Sequence, residues 1–306
     1  MKKRYLDLTS SELLSLSRDE LLYAIAASEG RVLACETIGA TMPVLGEISN
    51  AELAVAMGAD FLILNLFDVQ NPIVNGIPHV EKFEVVRELK RLTGRPIAIN
   101  LEPVPLDYTP EKTPWALTAG RRATIQNALL AREMGVDMIL LTGNPGVGVS
   151  NADIAKTLVE FKREIGDDVI LAAGKMHAAG ILNEGAKGIL STEDIKLFCE
   201  SGADIILLPA PGTVPAITLD YASKLVEYAH RLGALTITAI GTSQEGADAD
   251  TIRRIALMCK MCGTDIHHLG DAGYVGMSVP ENITAYSIAI RGVRHTYRRM
   301  AASIQR

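Results

Sequence analysis

The chain is poor in the features that mark several classes of protein. Its 306 residues include only four cysteines, Cys35, Cys199, Cys259 and Cys262, too few and too scattered for a disulfide framework. Cys259 and Cys262 form a lone C-x-x-C on a helical segment with no second pair, so they read as small apolar packing rather than zinc ligands. No apolar stretch is long enough to span a membrane. Acidic residues interrupt every apolar run of "MKKRYLDLTSSELLSLSRDELL", which argues against a signal peptide. Charge is not lopsided either: 30 basic against 36 acidic residues leave a net −6, giving no field to recruit nucleic acid or anionic lipid. Basic residues gather in "MKKR" and in "RGVRHTYRRMAASIQR", read as solvated or packing faces, the second as part of a homo-oligomer surface. These absences lead us to expect a reduced, cytoplasmic setting with neither nucleic-acid nor membrane partners.

What is present is a recurring unit. With 48% hydrophobic and 22% charged residues the chain can build one large core. Within it, "AVAMGADFLILN" at 54–65 is echoed by "AREMGVDMILLT" at 131–142, "FCESGADIILLP" at 198–209, "AHRLGALTITAI" at 229–240 and "CKMCGTDIHHLG" at 259–270. Each glycine stands where a helix must stop, and each apolar run after it is short and near-continuous, as in a parallel strand covered on both faces. Adding two looser copies and "RVLACETI" predicts strands near 31–37, 59–65, 95–102, 136–142, 168–174, 203–209, 234–240 and 264–270, with helices between them. A further helix over 9–28 precedes the first strand and is placed to plug the barrel bottom. Eight β-then-α units with no spare strand predict a TIM (β/α)8 barrel filling residues 1–306 as a single domain, with 1–30 as an N-terminal helical extension. A doubly wound sheet would want G-x-G-x-x-G after its first strand, and "ACETIGATMP" does not supply it.

In a TIM barrel the site is built at the C-terminal ends of the strands, and alternation sorts inward from outward side chains. Ala34 and Glu36, Asn65, Asn100 and Glu102, and Thr142 and Asn144 are then expected at the mouth. "VILAAGKMH" puts Leu171, Ala173, Lys175 and His177 on one face. Parity leaves open whether His267 or His268 enters; His268 is carried forward. Each residue also has a plainer reading as a solvated carboxylate, a cap or a turn residue. Lys175, flanked by small residues, is expected to bind an anion or form a Schiff base. His177, Glu36 and Glu102 are expected to move protons. Two glycine turns, Gly241-Thr242-Ser243 and Gly270-Asp271-Ala272-Gly273, fall where many barrels hold phosphate, although Asp271 would repel one.

Together "LTGNPGVGVSN", "AAGKMHAAG", "LPAPGTVP", "GTSQEGAD" and "GDAGYVG" resemble an uncharacterised bacterial family whose members are labelled phosphoenolpyruvate phosphonomutase-like or haloacid dehalogenase-like; in architecture the chain is similar to phosphate-binding TIM barrels. The resemblance implies a barrel with its site at the mouth. "YLDLTSSE" lacks the second aspartate of the D-x-D-x-T loop that dehalogenases need, and "GKMHAAG" shares only lysine, histidine and glycine with the K-K-C-G-H-type loop of the phosphonomutases. The leading expectation is an enzyme of lyase, aldolase or isomerase type acting on a small phosphorylated or carboxylated metabolite. The alternatives are a magnesium- or manganese-dependent barrel using Glu36, Glu102 and Asp271, and a non-catalytic barrel that senses a phosphosugar.

Overall fold

The computed structural model describes residues 3–105, 107–109, 116–143, 148–177 and 188–306. The eight apolar runs are strands β1 (Val32–Ile38), β2 (Phe61–Asn65), β3 (Ile97–Leu101), β4 (Met138–Leu141), β5 (Ile170–Gly174), β6 (Ile205–Pro209), β7 (Leu235–Ile240) and β8 (Ile266–Leu269). They pair in sequence order, all parallel, and β8 closes onto β1. The fold is therefore the closed (β/α)8 barrel that the repeats imply.

Helices alternate with the strands. The first strand is preceded by α1 (Ser10–Leu14) and α2 (Arg18–Ala26). The later helices are α3 (Asn50–Ala56), α4 (Val85–Thr93), α5 (Ile125–Met134), α6 (Asn151–Ile165), α7 (Thr192–Glu200), α8 (Leu219–Arg231), α9 (Ala249–Cys262) and α10 (Pro280–Ala301). The single helix expected over 9–28 is thus two. Thr9 with Glu12, and Ser17 with Glu20, each form a reciprocal capping box, so the second box starts a new helix instead of continuing the first. Leu13, Leu21, Ala24 and Ile25 from this pair join the same buried cluster as the barrel interior.

That interior contains Val32, Ala34, Phe61, Ile63, Ala98, Met138, Leu140, Ile170, Ala172, Ile205, Leu207, Ile237, Ala239 and Ile266. The alternate residues pack in the layer between sheet and helices. For β5 the alternation is the reverse of the sequence reading: Ile170 and Ala172 face inward, while Leu171 and Ala173 lie in the helix layer. An all-apolar strand carries no polar contrast from which its facing can be read.

The repeated Gly-x-Asp has a second purpose at the bottom of the barrel. Asp60, Asp137, Asp204 and Asp265 each accept the backbone N–H of the preceding strand, from Leu33 (2.9 Å), Ile97 (2.8 Å), Leu171 (2.9 Å) and Thr236 (2.8 Å). Each has a cationic or imidazole partner: Arg291 and Arg299 for Asp60, Lys90 for Asp137, Arg18 for Asp204 and His230 for Asp265. Helix α10 breaks at Gly292 (φ 77°, ψ 165°), between the two arginines that converge on Asp60.

Candidate active site

The strand tips at the C-terminal end enclose a cavity of about 250 Å³. Its described lining includes Glu36 from β1, Asn65 from β2, Asn100 from β3, Glu102 and Arg121 from the segment after β3, and Thr142 and Gly143 after β4. Leu66 after β2, Met176 and His177 after β5, Gly241 and Glu245 after β7, and Gly270, Asp271 and Ala272 after β8 complete it. Strand alternation delivers the first three: Glu36, Asn65 and Asn100 continue the inward rows of Ala34, Ile63 and Ala98.

Two asparagines tie the carboxylates together. Asn100 Nδ2 donates to Glu36 Oε1 (2.7 Å) and to Asn65 Oδ1 (3.0 Å), and Asn65 Nδ2 donates to Asp271 Oδ2 (2.8 Å). Behind Glu36 lies the fully buried His268, its Nε2 at 3.5 Å from Glu36 Oε2. His267 faces the other way, into the helix layer. There its ring contacts the Tyr286 hydroxyl (3.0 Å) and the Gly30 carbonyl (2.9 Å), and burial pushes its pKa down to about 3. On the β3 side Arg121 forms an ion pair with Glu102.

The electrostatics single out Asp271. Burial first, and then the nearby charge of Glu36, push its pKa up from 3.8 to about 7, against the opposing hydrogen bond from Asn65. Burial also raises Glu245, although the Ala272 N–H hydrogen bond to its Oε1 (3.0 Å) pulls the other way. Glu102 is raised by burial in spite of Arg121. His177 is lowered by burial, with Glu36 opposing. Asp271, raised to about 7, is thereby placed to exchange protons near neutral pH.

The cavity thus gathers Glu36, Asn65, Asn100, Glu102, Thr142, His177, Gly241, Gly270, Asp271 and Ala272 from among the expected residues. Lys175, Thr242, Ser243, His268 and Gly273 are not part of this lining. Asn144 lies outside the described residues. Lys175 is buried at 3% exposure and by position continues the outward row of Leu171 and Ala173; beyond Gly174 (φ 151°) Met176 and His177 both reach the cavity. A Cβ at Gly174 would sit 1.9 Å from the Leu207 carbonyl oxygen, so only glycine allows this approach.

The two turns expected to cradle phosphate meet through the Glu245 carboxylate, and three of their donors are not free. The Ala272 N–H is taken by Glu245 and the Gly270 N–H by the Ile240 carbonyl (2.9 Å), while the Thr242 hydroxyl donates to the Thr213 carbonyl (3.1 Å). Nor do Glu36, Glu102 and Asp271 fit magnesium or manganese. Each is engaged by a different partner, and among the described residues no group of three or more His, Cys, Asp or Glu is arranged to hold a metal ion.

Glu245 and Arg121 are the charged lining residues that the sequence reading missed, beside Leu66, Gly143 and Met176. Glu245 lay hidden in a turn read for its glycines. For Arg121 there was a usable signal: "GRRAT" puts two cations where a helix N-terminus disfavours them. Accordingly α5 starts only at Ile125, and residues Ala119–Arg121 form a separate turn.

The family described as Domain of unknown function (DUF7916) matches residues 6–306. The chain belongs to that family. No curated protein matches it. Among solved structures, the DUF7916 barrel is similar to the carboxyl transferase domain of Rhizobium etli pyruvate carboxylase, with a TM-score of 0.55 at 14% identity over 94% of this chain. It spans about half of that solved chain, 51%. It is also similar to an archaeal fructose 1,6-bisphosphate aldolase, with a TM-score of 0.52 at 13% identity, covering 86% of this chain and 95% of that one. A Schiff base-forming fructose-1,6-bisphosphate aldolase gives a TM-score of 0.53 at 13% identity, covering 86% of this chain and 94% of that one. At such identities the likeness shows the barrel and nothing about the reaction. Among the described residues no helix is long and apolar enough to cross a membrane.

Proposed function

We propose that this barrel is an enzyme of lyase, aldolase or isomerase type that works by carboxylate acid–base chemistry on a small carboxylated or phosphorylated metabolite. The observation that carries the reading is Asp271, a cavity-lining carboxyl whose pKa lies at about 7. Near neutral pH it is present both as base and as acid, which is the best poise for proton transfer. In its ionised form it takes a proton from a carbon beside a carbonyl; the C–H electron pair moves into an enolate, and the proton is later returned. In aldol cleavage the same carboxylate takes the hydroxyl proton, the C–C pair passes to the departing enolate, and an acid group protonates that carbon. His177 and Glu36 line the same cavity and would serve the second transfer, and Arg121 on the β3 side would meet the substrate's anionic group. A covalent role for Lys175 is not part of this proposal, because it is buried outside the described lining.

The test needs no known substrate. Pools of small aldehyde, ketone and oxo-acid metabolites are incubated with the protein in deuterated water, and loss of protons next to the carbonyl is followed by NMR. The expected result is catalysed exchange of at least one compound class, slowed about 100-fold or more in Asp271→Asn, the scale of a lost general base. Exchange that is absent, or equal in the variant, overturns the reading.

A further inference from the structure

Beneath the mouth lies a histidine that packing alone does not account for. In a (β/α)8 barrel, alternate strands supply the side chains of one interior layer. Under Glu36 and Asn100 that layer is Ile63, Leu140, Leu207 and His268, from the four even-numbered strands. Ala34 and Ala239, the register neighbours of His268 on β1 and β7, are small and leave space for its ring. The ring is fully buried, yet among the described residues neither of its nitrogens has a hydrogen-bond partner. A fourth aliphatic side chain would fill the layer without leaving polar atoms unpaired.

The polar group that His268 approaches is Glu36, with Nε2 at 3.5 Å from Oε2. That is the outer edge of a hydrogen bond, and contacts of this kind at active sites tighten when substrate binds. The other Glu36 oxygen is already held by Asn100 Nδ2 at 2.7 Å. The same geometry selects the tautomer. With its proton on Nδ1 the ring would turn a bare lone pair toward a carboxylate oxygen and bury an unpaired N–H. With the proton on Nε2 it donates to that oxygen instead. Glu36 is then gripped at both oxygens, from β3 and from β8. Its charge is among the causes that raise Asp271, so whatever fixes Glu36 also fixes the field at Asp271.

We infer that His268 is a positioning residue of this active site: its Nε2–H bonds Glu36 Oε2 from the layer below and, with Asn100, orients that carboxylate for the chemistry at Asp271. The consequence for catalysis rests on the acid–base reading of the mouth; the contact itself does not. Two measurements on the full chain test it. NMR of isotope-labelled imidazole rings, assigned through the backbone of the unaltered protein, shows which nitrogen of His268 carries a proton. The expected result at neutral pH is a proton on Nε2 whose resonance moves in Glu36→Gln. A bare Nε2, or a resonance indifferent to Glu36→Gln, overturns the inference. The deuterium-exchange assay is the second measurement. His268→Met should slow exchange about tenfold or more, the scale of a misplaced reacting group. His268→Gln keeps a donor of similar reach and should restore most of the rate. In the Glu36→Gln protein, His268→Met should cost nothing further. The exposed His79→Met is the control and should match the wild type. Equal losses in His268→Met and His268→Gln, or a loss that adds in full to that of Glu36→Gln, leave His268 a packing role only and overturn the inference. If either His268 variant fails to fold, NMR of the unaltered and Glu36→Gln proteins decides alone. If the unaltered protein catalyses no exchange, the acid–base reading falls and the NMR result still decides the contact.

Discussion

Asp271 sits where burial and like charge act together. The unfolded chain would release its proton near the ordinary 3.8, whereas the folded protein holds it to about 7. A raised carboxyl contributes stability that is fully present below the unfolded value and is lost as pH rises to the folded one. Asp271→Asn keeps an acceptor for Asn65 and removes the ionisation. The variant should therefore gain on the wild type by roughly 1.4 kcal/mol per pH unit across that window, and then hold a constant advantage above it. Urea denaturation of both proteins at matched pH values measures the difference, and a difference that does not change with pH would contradict the raised value. A side chain that lowers stability at neutral pH and lines a cavity has the character of a functional group more than a structural one.

At the scale of the element, the C-terminal helix is informative. Its break at Gly292 lets Arg291 and Arg299 both meet Asp60 at the bottom of the barrel. Arg291 also donates to the Gly58 carbonyl and to Ser287, so it ties α10 to the start of β2. Arg291→Met should cost about 3 kcal/mol in chemical denaturation, because it leaves part of a buried carboxylate's charge uncompensated. It should leave deuterium exchange by the folded protein unchanged, since conservation of stability belongs to the bottom of such a barrel and chemistry to its mouth. Strand β5 shows the limits of pattern reading at the same scale. Strands β1 to β3 each mix polar and apolar residues, and their inward faces were legible. The apolar "VILAA" had no such contrast, and its facing is the reverse of the one on which the placing of Lys175 depended: Lys175 follows the outward row of Leu171 and Ala173.

Across the whole molecule, two buried groups pull the pH dependence in opposite directions. His267, held near 3 by burial in the helix layer, stays neutral when folded. The stability this lends is present above the unfolded value of 6.5 and is lost as pH falls toward 3. Between 3.8 and 6.5 its slope is equal and opposite to that of Asp271, so the two contributions cancel in the wild type. Asp271→Asn should uncover the histidine and make the protein lose stability on acidification from about pH 6.5 to 4 more steeply than the wild type. Midpoints of thermal unfolding across that range check it, and parallel curves would refute the opposition. The sequence by itself determined the eightfold repeat, the closed barrel and the polar strand tips Glu36, Asn65 and Asn100, because these follow from local periodicity and from where helices must stop. Only the tertiary structure decided that His268 faces inward, that Glu245 and Arg121 join the cavity, and that Lys175 does not line it. Those outcomes depend on loops meeting across the barrel and on which face an all-apolar strand turns inward, neither of which leaves a periodic trace in the chain.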